Sequence, residues 1–122
     1  MVIGHTSLGF TFGGFGQVSW AGNNNYATEA AGDFLFRLGP GAGPVAYRPT
    51  GDDTHYQYRY PGWWPRWGYP GDLEFGSNGA LGQGTFAQCN QGHTYAGETN
   101  DACGGHGNWG ATEMEVWYRV GS

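Results

Sequence analysis

Short runs of alternating apolar and polar residues recur along the chain, which is the period of a strand that buries one face. The clearest covers residues 112–120, where Met114, Val116, Tyr118 and Val120 share one face and Glu113, Glu115, Trp117 and Arg119 the other. Residues 55–60 are as regular, with Tyr56, Tyr58 and Tyr60 opposite His55, Gln57 and Arg59. Residues 33–38 set Phe34, Phe36 and Leu38 against Leu35 and Arg37. Further runs lie at 8–12, 17–21, 44–48, 73–75 and 85–88. Strands this short, separated by Gly, Pro and Asn turns, predict an all-β chain: an antiparallel β-sandwich or jelly roll with glycine-rich loops. The signals run from end to end, so residues 1–122 are expected to form one domain. No long window carries a helical stripe, and residues 26–31 predict one helical turn at most.

Composition changes how the aromatic residues must be read. The chain has five Leu and one Ile against 21 aromatics, so rings must supply much of the core, at roughly 150–250 Å² each. Glycine accounts for 25 residues without a collagen-like period, and only 12% of residues are charged, which does not favour disorder. A net charge of −5 argues against nucleic acid as a partner, because phosphate binding needs a basic patch. Lysine is absent, and the five cations are Arg37, Arg48, Arg59, Arg66 and Arg119. A GC-rich genome accounts for this more simply than selection for harsh conditions. No apolar stretch approaches the ~20 residues of a membrane-spanning helix, so no membrane insertion is expected. Residues 1–5 lack the pattern of a signal peptide; either a leader has been removed or export does not use one. The expected location is extracellular or virion-associated.

One segment breaks the alternation. Gly62-Trp63-Trp64-Pro65-Arg66-Trp67-Gly68-Tyr69-Pro70-Gly71 packs four large aromatics and an arginine between prolines and glycines and reads as an ordered surface loop. Three roles compete for Trp63, Trp64, Trp67 and Tyr69. They can be core, a platform for a pyranose ring with Arg66, Asp72 or Asn78 bonding hydroxyls, or a surface buried in a homo-oligomer, where Trp, Tyr and Arg are enriched. At least one ring is structural in every case, since four contiguous exposed aromatics would invite aggregation. Trp63 or Trp64, backed by Arg66, is the preferred platform.

Cys89 and Cys103 bracket thirteen residues, and in an oxidising compartment a disulfide is their simplest fate. Closing such a loop stabilises by roughly 3 kcal/mol in the chain-entropy model. His93 and His106 complete a set with spacing near that of structural zinc, but a classical finger has a longer connection and both histidines on a helix. Zinc and free thiols are therefore the lesser alternatives. Oxygen ligands suited to calcium cluster at 98–101 and Asn108, with Asp52-Asp53 a second pair that turn chemistry explains more simply. Glu113 and Glu115 sit on one strand face about 7 Å apart, which glycosidase spacing permits. Two carboxylates on an amphipathic strand are more simply a solvated face, and no nucleophile–base order stands out. The chain is expected to bind rather than catalyse.

Three stretches carry a family resemblance. Gly32-Asp33-Phe34-Leu35-Phe36-Arg37-Leu38-Gly39, then Gly71-Asp72-Leu73-Glu74-Phe75-Gly76-Ser77-Asn78, then Asn100-Asp101 followed by Asn108-Trp109-Gly110 and the strand at 112–120, are similar to motifs of calcium-dependent galactose-binding bacterial lectins and related β-sandwich domains. They cover about a third of the chain. The family's paired Asn-Asn is here Gly107-Asn108, and a cysteine-bounded insert stands where the family loop would be. The resemblance implies a lectin or carbohydrate-binding module in which Asp101 and Asn108 hold calcium that bridges sugar hydroxyls. The alternative function is a self-assembling structural subunit of a virion, appendage or extracellular filament.

Overall fold

The computed structural model describes residues 1–6, 9–18, 25–29, 31–39, 43–59, 65–69, 71–75, 86–97, 101–104 and 108–118. In chain order the strands are β1 (Val2–Thr6), β2 (Thr11–Phe15), β3 (Asn25–Ala27), β4 (Phe34–Gly39), β5 (Val45–Tyr47), β6 (Gln57–Arg59), β7 (Arg66–Trp67), β8 (Leu73–Glu74), β9 (Phe86–Cys89) and β10 (Asn108–Val116). A single 3-10 turn, Asp101–Cys103, is the only helical element among the described residues.

All the strand pairs are antiparallel, and they make two open sheets that share β10. Its first residues, Asn108 to Gly110, pair with β9, and the rest of the strand pairs with β1. The first sheet runs β10–β1–β2–β4–β5 and the second β3–β6–β7–β8–β9–β10. This is the expected all-β, sandwich-like architecture. Val2, Phe12, Leu35 and Tyr47 from the first sheet meet Trp67, Leu73 and Cys89 from the second, with Phe75 and Tyr95 in the same buried cluster.

Two glycines make the central contact possible. A Cβ at Gly14 of β2 would lie 2.6 Å from the Trp67 indole, so only glycine lets the ring lie against the strand. Gly68 follows Trp67 with φ +81°, a left-handed conformation that L side chains adopt at a cost, and the chain turns back there toward β8.

Several elements differ from the sequence expectation. Residues 25–27 form β3 rather than a helical turn, since Tyr26 pairs with Tyr58 across the ladder. Strand β1 was not marked by alternation, because Gly4 and Thr6 follow Val2 on its buried side. Residues 66–67 of the aromatic segment are a two-residue strand between β6 and β8, too short for any period to show. Strand β2 lies at 11–15 rather than 8–12, and residues 17–18 are bends.

Candidate functional site

The aromatic segment divides by side-chain direction. Trp67 points into the core, with no exposed surface; its Nε1 donates to the Phe15 carbonyl at 3.2 Å and its ring lies 6.1 Å from Phe75. Arg66, one residue earlier, faces the opposite way, and its guanidinium lies 4.7 Å from the centre of the Tyr58 ring. Tyr69 is 54% exposed. Its backbone N–H donates to the Thr94 hydroxyl at 3.0 Å, which fixes the turn that carries it. Trp63, Trp64 and Asn78 lie outside the described residues.

Around Tyr69 the outer face of the second sheet gathers aromatic rings that come from distant parts of the chain. Tyr26 of β3 lies 4.9 Å from Tyr58 of β6, its partner across the ladder. His55 stands edge-on to Tyr26 at 4.8 Å and 5.3 Å from Tyr69, and the Tyr26–Tyr69 separation is 6.0 Å. Such spacings are those of mutually stabilising aromatic pairs. The result is a group of amphipathic rings with the Arg66 cation along one side.

Asp53 supplies the acceptor of this group. Its Oδ1 takes the His55 backbone N–H at 2.8 Å and contacts the His55 ring Nδ1 at 2.5 Å. Burial alone would raise the Asp53 carboxyl, but the two His55 hydrogen bonds, the His55 charge and the Thr94 hydroxyl together hold it below the ordinary range. Glu74, opposite Arg66 on β8, is 3% exposed; burial raises its carboxyl and the Arg66 charge offsets part of that. Glu74 therefore lies beneath the face, where its charge acts on the Arg66 guanidinium rather than on a ligand.

The second predicted constellation is organised by other contacts. Asp101 opens the 3-10 turn, and its Oδ2 accepts from the Tyr47 hydroxyl at 2.5 Å with the Arg37 guanidinium 3.9 Å away. Burial, then the hydrogen bond and charge of Asp101, push the Tyr47 hydroxyl up to about 12. Asn108 is the first residue of β10. No group of three or more His, Cys, Asp or Glu side chains placed to hold a metal occurs among the described residues.

Cys89 and Cys103 are joined in a disulfide, with Cα atoms 6.4 Å apart, so neither is a free thiol. The loop they close is ordered by a buried carboxylate, for Asp72 accepts the backbone N–H groups of His93, Thr94 and Tyr95 at 2.9–3.1 Å. Gln91 adds a bond from the Ala102 N–H at 2.7 Å and one to the Ala96 carbonyl at 2.8 Å.

Arg66 and Tyr69 thus come together with Tyr26, Asp53, His55 and Tyr58, which were not singled out from sequence. The Asp53-x-His55 spacing and the tyrosine alternation at 55–60 were visible signals. Their convergence with Tyr26 needed the β3–β6 pairing, which nothing local encodes. No helix of the described residues is long and apolar enough to cross a membrane. No protein-family model, curated protein or solved structure matches the chain.

Proposed function

We propose that this chain is a non-catalytic carbohydrate-binding protein, a lectin or binding module, whose sugar platform is the outer face of the second sheet around Tyr69. The observation that carries the reading is the exposed Tyr69 ring held beside His55 and Tyr26 at 5.3 and 6.0 Å. A pyranose has one apolar face, which stacks on a flat ring, and a rim of hydroxyls. Arg66 and His55 can donate to those hydroxyls and Asp53 can accept from them. A preset ring group also lowers the ordering cost of binding, which otherwise consumes much of the gain. Calcium at Asp101 and Asn108 remains part of the proposal only as an aid, and the ion would have to share the Asp101 carboxylate with Tyr47. The disulfide fits an oxidising compartment, consistent with an extracellular or virion location.

Titration calorimetry with a panel of mono- and oligosaccharides, with calcium and with chelator, tests this. At least one sugar is expected to bind, and Tyr69→Ala is expected to weaken it by about tenfold or more while far-UV circular dichroism stays unchanged. Silence across the panel, or full binding by Tyr69→Ala, would overturn the reading.

A second reading, a subunit that assembles with copies of itself, is favoured by a separate observation. The outer face of the first sheet carries exposed apolar residues, among them Leu38 and Trp117.

A further inference from the structure

The first sheet carries apolar side chains on both faces, and its outer face also holds the His5–Glu115 pair and Glu113. In β4, Leu35 enters the core, so Phe34, Phe36 and Leu38 lie on the opposite side, where Leu38 is exposed, Phe34 half-buried and Phe36 already buried among its neighbours. Cross-strand register lines up the outward side chains. One row runs from Trp117, whose backbone bonds to Met1 in both directions, through Met1 and Phe15 to Phe34. It ends at Arg48, with the guanidinium 4.5 Å from the centre of the Phe34 ring. The next row runs Glu115, Ile3, Gly13, Phe36, Ala46. An open groove of about 430 Å³ lies between β1 and β5, lined by Ile3, Phe34, Phe36 and Leu38 among others.

Three features say what covers this face. First, β2 is the middle strand; the Phe36 ring lies across its Gly13, where a Cβ would come within 2.9 Å of it, so the large outward side chain on the midline of the face is Phe15, stacked on Phe34 at 5.2 Å. Second, the margins differ in charge: Arg48 follows β5, while Glu113 and Glu115 stand on β10 at the other side. Third, the area sets the strength of the contact. With β5 only three residues long, the five strands at about 4.8 Å spacing project on the order of 400 Å², below the ~500 Å² per copy of stable interfaces and suited to a weak, reversible one.

We propose that the outer face of the first sheet is the interface of a two-fold dimer with a second copy of this chain, with the axis lying along β2. Such an axis reverses the strand order across the face, so the β5 margin of one copy meets the β10 margin of the other. Arg48 of each copy then lies over Trp117 of its partner, beside Glu115, and Phe15 of each copy meets Phe15 of the other on the axis. This is an isologous contact between two sheets packed face to face. It gives the assembly reading its surface, and it rests on that reading rather than on the sugar-binding one.

Sedimentation velocity over a wide concentration range tests it. The wild type is expected to pass from monomer to dimer, and Leu38→Glu to stay monomeric with unchanged circular dichroism. Arg48→Ala and Trp117→Ala, both at exposed positions, are each expected to weaken dimerisation by about tenfold. The two side chains are at opposite margins of one copy, so coupling between them arises only across the interface. The double variant is therefore expected to lose less than the product of the single effects. A wild type that is monomeric throughout, whatever else binds that face, overturns the proposal. So does multiplicative loss in the double variant. A dimer or larger assembly that Leu38→Glu leaves intact also overturns it, but leaves the assembly reading standing on another surface.

Discussion

Trp67 and Tyr69 are two residues apart, and their opposite fates show how little a residue's type says about its role. Trp67 fills the gap that Gly14 leaves, with its indole N–H bonded to the Phe15 carbonyl. Truncating it removes a large buried ring and leaves a donorless carbonyl and a cavity. Trp67→Ala is expected to cost about 3–5 kcal/mol in denaturant unfolding, whereas Tyr69→Ala is expected to stay within roughly 0.5 kcal/mol. Equal losses for the two would mean that Tyr69 is structural and would remove it from the sugar face. The Gly-Asp pairs at 32–33 and 71–72 make a related point. Each opens a strand, β4 or β8, and in each the aspartate is fully buried and accepts backbone N–H groups of a loop from another part of the chain. The similarity of the two stretches thus reflects a shared local task, a buried carboxylate holding a facing loop.

At the scale of elements, the alternation at 33–38 and 112–116 was legible because Phe34, Phe36 and Leu38, and Met114 and Val116, take every second position, although β10 begins at Asn108 and ends at Val116 rather than running 112–120. Which side faces the core was not legible for β4. Its three-residue apolar side turned outward, and Leu35, with Arg37 reaching the Asp101 carboxylate, turned in. The period gives the sheet plane and not the sign of burial, and a sheet that carries apolar side chains on both faces leaves the sign to tertiary packing. Strands of two or three residues, such as β3 and β7, exist through their neighbours and carry no period of their own. The ring group around Tyr69 was half visible for the same reason, since Arg66 and Tyr69 are local and Tyr26 arrives by pairing. The disulfide loop was legible from spacing, but its organisation by Asp72 was not. Reduction is therefore expected to raise the mass by two daltons and to cost roughly 2–4 kcal/mol in the denaturant midpoint. Asp72→Asn, which keeps an acceptor but loses its charge on three N–H groups, is expected to destabilise the oxidised protein by about 1–3 kcal/mol. An unchanged midpoint in Asp72→Asn would show that the disulfide alone holds the loop.

For the whole molecule, the buried acids set how stability follows pH. Burial raises Asp33 to about 7, against the pull of the Gln17 N–H and the amino terminus, with Glu29 adding a further upward push. Burial also raises Asp72, against the N–H groups of Tyr95, Thr94 and His93, and raises Glu74, against Arg66. The folded state therefore holds protons that the unfolded chain releases near pH 4. Their contribution to stability is complete below the unfolded value and is lost as pH rises through the folded one. Half-buried Asp53 works the other way, contributing above its unfolded value and losing that contribution as pH falls. Asp33 and Glu74 each bury one oxygen without a partner, but Glu74 has the Arg66 charge to offset ionisation and Asp72 has three N–H donors, so the ionisation of Asp33 is the costliest of the three. Stability is expected to fall between about pH 4 and pH 7, with Asp33 accounting for on the order of 2–4 kcal/mol. Asp33→Asn keeps the acceptor for the Gln17 N–H and cannot ionise, so it should match the wild type near pH 4 and exceed it above pH 7. Urea midpoints of both proteins across this window check the prediction; parallel curves would show that Asp33 is ionised in the folded state throughout.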